Sequence, residues 1–434
     1  MSTRAILLAL APLAGSAPAG DLLAIRVGRA ETVSHGAIEH AVILVEGGKI
    51  VIIGQDLPIE RGIPVLDRPG WTVMPGLVNP YSRMGMDGRA GDREEPQQSA
   101  AAELYAEDDP YEELREAGVT TLGQYPAGHG LPGQAVVVRT KGDTREELLI
   151  REGAYLKVDF NSDSPSKKRV REAFEKVDEY IEQEKKAREK WEKEVEKASK
   201  KKPAKKDEEK KGEEKKDEEK KSEEKKGEET PDEKKEEGPG KYVPPEPDEK
   251  VVPFMALRDG ELSALVGIRR AGDYLHWLDA IGDEEFEWSL RVPTVRELDI
   301  FNVKQEIGER GCRVVMEPQM SVHPNTMRYR NLPAELAAAG AKLVLLPRSD
   351  SDSGHEQWLR SVGEIVAFGL DRDVALRSVT LEPAVLLGVD DRLGSLEAGK
   401  DANMLFLSAD PFETSTRVEA VMLEGRFVYG EVRP

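Results

Sequence analysis

Strand-forming segments stand at both ends of this chain, and the long stretch between them alternates strand with helix, so any fold must bring distant termini into one sheet. At the amino end the pattern predicts strands over 22–27, 41–46 and 49–54, with Gly47-Gly48 as a hairpin turn. At the carboxyl end it predicts a matching set over 403–407, 418–423 and 426–429, with Glu424-Gly425 at the turn. Period-two alternation and β-branched residues make both sets antiparallel, which suggests one small β-sandwich assembled from both termini.

In the middle, a helix over 112–118 stops at Gly118 and leads into a buried strand over 119–122. An alanine-rich helix over 333–340 is followed by a strand over 342–346. Trp358, Leu359, Val362, Ile365 and Val366 then recur on one helical face, which marks a core-facing helix. Asp371 or Asp373 suits the cap of the next helix, over 374–379, and Pro383 suits the opening of another. Such alternation predicts an α/β protein with a (β/α)8 barrel of the TIM type.

The barrel has an insertion. Of 434 residues, 83 are acidic and 63 basic, a net charge of -20, but residues 161–250 alone hold 28 basic and 30 acidic side chains. The remainder is therefore an acidic body of ordinary charge density. Ala173, Phe174, Val177, Tyr180 and Ile181 share a helical face, so a helix is expected over 170–200. From Asp207 a five-residue unit repeats (DEEKK, GEEKK, DEEKK, SEEKK), in which attractive i,i+3 pairs are nearly cancelled by like charges at i,i+4. Residues 200–250 read as a solvated, low-complexity spacer. The acidic body disfavours nucleic acid as a partner. A lone cysteine, Cys312, excludes an intrachain disulfide.

Arg4, the apolar run 5–14 and Ala17-Pro18-Ala19 have the order of a secretory signal, so residues 1–19 are expected to direct export to a periplasm or beyond. No stretch is long enough to span a bilayer. The expected organisation is a signal peptide (1–19), a β-sandwich (20–74 and 397–434), a barrel (75–160 and 251–396) and the charged insertion (161–250).

Specific motifs carry a resemblance. Residues 24–54 followed by Val73-Met74-Pro75-Gly76-Leu77-Val78, and the closing run Leu393-Gly394-Ser395-Leu396-Glu397-Ala398-Gly399-Lys400-Asp401-Ala402-Asn403, are similar to the opening and closing segments of the amidohydrolase superfamily. Residues 376–388 resemble the helical element that precedes that closing segment, and residues 118–133 resemble the second barrel strand and loop of the imidazolonepropionase-like branch. The resemblance implies a sandwich-plus-barrel fold and hydrolysis of non-peptide C–N bonds with zinc or another divalent metal at the barrel mouth. It also implies an H-x-H pair after the P-G-L-[IV] turn, since residues two apart on a strand face the same side.

Asn79 and Tyr81 occupy those two positions. A third histidine is implied where Gly267 stands, and a fourth at the end of the strand 313–316, where Glu317-Pro318-Gln319 stands. Asp350 matches the family's last-strand aspartate, a ligand and general base, or else caps a helix. Lys157 is placed near a carbamylated bridging lysine of related enzymes, or else is a surface lysine. His323 and His355 are the histidines expected near the mouth. His35 and His40 fall in sandwich strands, His129 in a glycine-rich loop, and His276 on a helix beside Trp277.

The expectation is an amidohydrolase-related pseudoenzyme with no cofactor, holding a small molecule at the barrel mouth or pairing with itself or an active relative. The alternatives are an active hydrolase of amides or cyclic amides, with a metal held by Asp350, Lys157, His323 or His355, and an interaction protein working through the insertion.

Overall fold

The computed structural model describes residues 22–88, 91–105, 111–200, 241–293 and 298–430. The expected export segment and the Lys/Glu repeats lie outside them. The chain divides into a main unit, through Ala173 and again from Glu249, and a second unit, Phe174–Asp248.

In the main unit both chain ends enter one seven-stranded sheet. Its order is Arg426–Tyr429, Val418–Leu423, Met404–Leu407, Val65–Pro75, Leu23–Glu31, Ala37–Glu46 and Lys49–Gln55. The sandwich expected from two strand sets is thus one continuous ladder. Its joint is Val65–Pro75, parallel to the first strand and antiparallel to Met404–Leu407. Ile25, Ile43, Leu66, Val73, Met404 and Phe406 bury fully in a shared core.

The closing motif clasps this sheet. Ile50 N donates to Lys400 O at 2.9 Å and Gly399 N to Ile50 O at 2.8 Å, while Asp401 accepts from Lys49 Nζ at 2.8 Å and from Arg392 Nε at 2.9 Å. The opening motif makes the passage into the barrel. Gly76 N donates to Asn403 O at 3.0 Å, and a Cβ on Gly76 would lie 2.2 Å from the Thr120 side chain, so only glycine fits there.

Beyond Gly76, Leu77–Ser82 pairs in parallel with Val119–Gln124. Leu156–Asp159, Ala264–Gly267, Trp288–Arg291, Arg313–Met316 and Lys342–Leu345 form a second parallel run. Val78, Val137, Tyr155, Leu265, Val315 and Val344 from both sheets fill one interior cluster, as in a barrel. Among the described residues the parallel strands number seven, where a (β/α)8 barrel has eight. An antiparallel hairpin, Val136–Arg139 with Leu149–Arg151, intervenes after Val119–Gln124. The helix at Pro383 begins two residues earlier, at Leu381, and Asp371 rather than Asp373 supplies the preceding cap.

Within the second unit, the later part of the helix Ser164–Lys200 is paired with the returning segment 241–248. Tyr180 Oη donates to Pro245 O at 3.0 Å, Tyr242 Oη donates to Glu184 O at 3.1 Å, and the Trp191 and Tyr242 rings lie 5.6 Å apart. The spacer expected over 200–250 therefore ends before its last residues, because Tyr242 and the Pro245 carbonyl make ring and hydrogen-bond contacts with the helix that the Lys/Glu units have no aromatic residue to make. Among the described residues no helix is long and apolar enough to cross a membrane.

Candidate functional site

The carboxyl ends of the parallel strands open on a cavity of about 790 Å³. Its wall includes Tyr81, Tyr125, Lys157, Asp159, Gly267 and Arg291. Ligand sites of parallel barrels form at this end because the loops there converge above the strand ends.

Asn79 is fully buried on the first strand. Its Oδ1 accepts from Tyr81 N at 3.1 Å, so Nδ2 is the group that donates to His355 Nε2 at 3.0 Å. That fixes the imidazole: Nε2 accepts, and Nδ1–H donates to Ser351 O at 2.8 Å. His355 is 1 % exposed, and burial pushes its pKa below the ordinary histidine value. It is a neutral histidine tied to Asn79.

Asp350 follows the last parallel strand. Ser82 Oγ donates to its Oδ1 at 2.8 Å, Arg83 N to its Oδ2 at 2.6 Å, and His355 Nε2 lies 3.9 Å away. The cap of the helix Asp352–Glu356 is Ser351, whose Oγ accepts from Gly354 N, so the capping alternative for Asp350 falls one residue away. Charge-assisted bonds from two neighbouring residues of the first strand end hold this carboxylate in place.

Lys157 is not a surface lysine. It is 4 % exposed and donates from Nζ to Asp159 Oδ2 at 2.8 Å and to Gly128 O at 2.7 Å. His129, from the glycine-rich loop, approaches the same Oδ2 at 3.4 Å. The parallel register sets Asp159, Gly267 and Arg291 side by side on three adjacent strands. Arg291 pairs with Glu317, and its guanidinium carbon stands 5.1 Å from the Tyr81 ring centre. Tyr81 in turn stacks on Tyr125 at 4.0 Å. Burial raises the Tyr81 pKa well above the usual phenol value, so at neutral pH it offers no phenolate.

His323 lies apart from this wall, with Nδ1 near Pro324 O and its ring on Phe301, and His35 falls in a turn while His40 stays on its strand. His276 is half-buried on its helix. No sequence pattern marks Trp288–Arg291, the strand between Ala264–Gly267 and Arg313–Met316. Four residues of W-S-L-R carry too little alternation to be recognised alone. Asp159 is likewise unmarked, although its position two residues after Lys157 places both on one face of a strand.

The residues fit a divalent metal poorly. Asn79 and Asp350 are engaged within the chain, Tyr81 is a neutral phenol, Gly267 offers no side chain, and the carboxylates Asp159 and Glu317 are already paired with Lys157 and Arg291. Among the described residues no three His, Cys, Asp or Glu side chains converge as a metal site.

Residues 355–428 match the model of the amidohydrolase family. No curated protein matches the sequence. Among solved structures, an amidohydrolase from Thermotoga maritima MSB8 superposes with a TM-score of 0.70 at 19% identity, covering 94% of this chain and 100% of that one. A beta-aspartyl dipeptidase from Fervidobacterium islandicum AW-1, in complex with a beta-Asp-Leu dipeptide, gives 0.53 at 12% identity, covering 94% and 97%. A prolidase complexed with N-methylphosphonate-L-proline gives 0.51 at 14% identity, covering 94% and 100%. These likenesses establish the fold.

Proposed function

We propose that this chain, which has the amidohydrolase fold and carries an amidohydrolase-family segment at residues 355–428, holds a small molecule at its barrel mouth and does not perform metal-assisted hydrolysis. One observation carries the proposal: Asp159, Gly267 and Arg291 stand at successive strand ends, with Asp159 paired to Lys157 and Arg291 to Glu317, so two ion pairs and a missing side chain stand where free donors for a cation would be needed. A metal-activated hydroxide needs about three protein ligands, and anionic or neutral ones at that. The Asn79–His355 and Asp350–Ser82 bonds support the same reading, since each candidate donor already has an internal partner.

The proposed setting is outside the cytoplasm, as a soluble or envelope-associated protein that pairs with itself or with an active relative. The rival reading is a hydrolase of amides or dipeptides. It draws on the dipeptidase and prolidase likenesses and on the 3.9 Å approach of Asp350 to His355, an acid and a base at one strand end.

Incubation with beta-aspartyl and Xaa-Pro dipeptides in zinc or manganese separates the two. The proposal expects no turnover above a boiled control. Turnover that Asp350→Asn abolishes would overturn it and establish the rival.

A further inference from the structure

We infer that a small cavity at the amino ends of the parallel strands is a binding site for a small oxyanion, held between the guanidinium groups of Arg151 and Arg313 and the hydroxyl of Ser289. The cavity measures about 110 Å³ and is lined by these three residues together with Glu261, Glu287 and Gly388. It opens where the strands Trp288–Arg291 and Arg313–Met316 begin, the end opposite the mouth, so the inference stands whether or not the mouth is hydrolytic. At about 30 Å³ per water molecule the space holds a few waters or one compact ion.

Register aims two of these side chains inward. Leu265 and Val315 belong to the interior cluster of the barrel. Ser289 is the strand partner of Leu265, and Arg313 stands two residues before Val315, so both share the inward face. Ser289 is 1 % exposed, and its hydroxyl has no hydrogen-bond partner among the described residues. A polar group buried without a partner is costly, and an acceptor in the cavity removes that cost.

The Arg313 side chain is 7 % exposed, yet no carboxylate holds it closely. Its Nε donates to Glu382 Oε2 at 3.4 Å, and its Nη1 lies 3.6 Å from Glu287 Oε1, both beyond the roughly 2.7–2.9 Å of a good charge-assisted bond. Glu382 is already engaged by Arg377 Nη2 at 2.6 Å. Glu287 has a side chain that is 70 % exposed, where water screens its charge. Arg151 donates from Nη1 to Gly388 O, and no carboxylate pairs with it among the described residues.

Charge and geometry then select the ligand class. A cation would meet two guanidinium groups. A neutral molecule would accept from Ser289 but leave the buried Arg313 without a close counter-charge. An oxyanion supplies one oxygen to the hydroxyl and others to the guanidinium groups, whose planar forks suit carboxylate and phosphate oxygens. Glu261 and Glu287 oppose it only from exposed positions on the wall.

The test is isothermal titration calorimetry of the full chain at constant ionic strength with phosphate, acetate and chloride. The expected result is saturable binding of phosphate or acetate at this site, with chloride at least about tenfold weaker because a single sphere cannot engage hydroxyl and fork together. Which of the two binds distinguishes a tetrahedral from a planar oxyanion. Arg151→Gln should weaken binding at least about tenfold and Ser289→Ala several-fold. These two are changed rather than Arg313, whose burial ties it to the fold. Arg269→Gln, a change in the wall of the mouth, should leave the affinity as it is. No saturable binding, chloride binding as tightly, affinity unmoved by both Arg151→Gln and Ser289→Ala, or affinity lost in Arg269→Gln would overturn the inference.

Discussion

Asn79 Nδ2 donates to His355 Nε2 at 3.0 Å from a residue 276 positions away in sequence, and this bond joins the first barrel strand to the helix that follows the last. Both groups are buried, so removing either leaves the other without a partner. Asn79→Ala should destabilise the protein by about 1–3 kcal/mol, the penalty for a buried polar group left unpaired. Urea denaturation checks it; a change within a few tenths of a kcal/mol would show that the bond contributes nothing to stability.

The same histidine sets a pH dependence. Its folded pKa lies below the unfolded value of 6.5, so between the two the unfolded chain binds more protons than the folded one. Stability attributable to His355 is full above pH 6.5, falls as pH drops toward the depressed folded value and levels off below it. His355→Gln removes the titration, and its stability should change less steeply over that window than the parent's. Parallel denaturation midpoints from pH 7 down to 5 test this, and superimposable slopes would contradict it.

Much of the fold was legible because its signals are local. Gly47-Gly48 and Glu424-Gly425 do turn the hairpins, with positive φ at all four residues, and the closing motif does return to the edge of the amino-terminal strands. The site was legible only in part. Asn79, Tyr81 and Gly267 were found by position against a resemblance, whereas Arg291 and Tyr125 meet Tyr81 only through strand packing that no local pattern encodes. The burial of Lys157 is not legible, because nothing in Y-L-K-V announces that Asp159, two residues on, will pair with it inside the cavity wall.

That pair yields its own prediction. Lys157→Met removes the ammonium that donates to Asp159 Oδ2 at 2.8 Å and balances its charge. Loss of this charge-assisted bond should destabilise the protein by about 1–3 kcal/mol. Urea denaturation of both proteins checks it; an unchanged midpoint would show that Lys157 does not hold this wall together.

In the second unit, Tyr242 ties the return segment to the helix through Glu184 O and the Trp191 ring. Tyr242→Ala should loosen residues 180–191 locally, losing about 0.5–1.5 kcal/mol of aromatic contact. Hydrogen exchange of those amides should quicken several-fold, and unchanged exchange would remove the contact from the account.

The central claim is that the barrel mouth holds two ion pairs, Lys157–Asp159 and Arg291–Glu317, and a gap at Gly267 where free donors for a metal would have to converge. Elemental analysis of the full chain, purified after saturation with zinc or manganese and exhaustive desalting, tests it most directly. The account predicts substoichiometric metal, unchanged by Asp350→Asn. One or two ions per chain, lost in that variant, would contradict it.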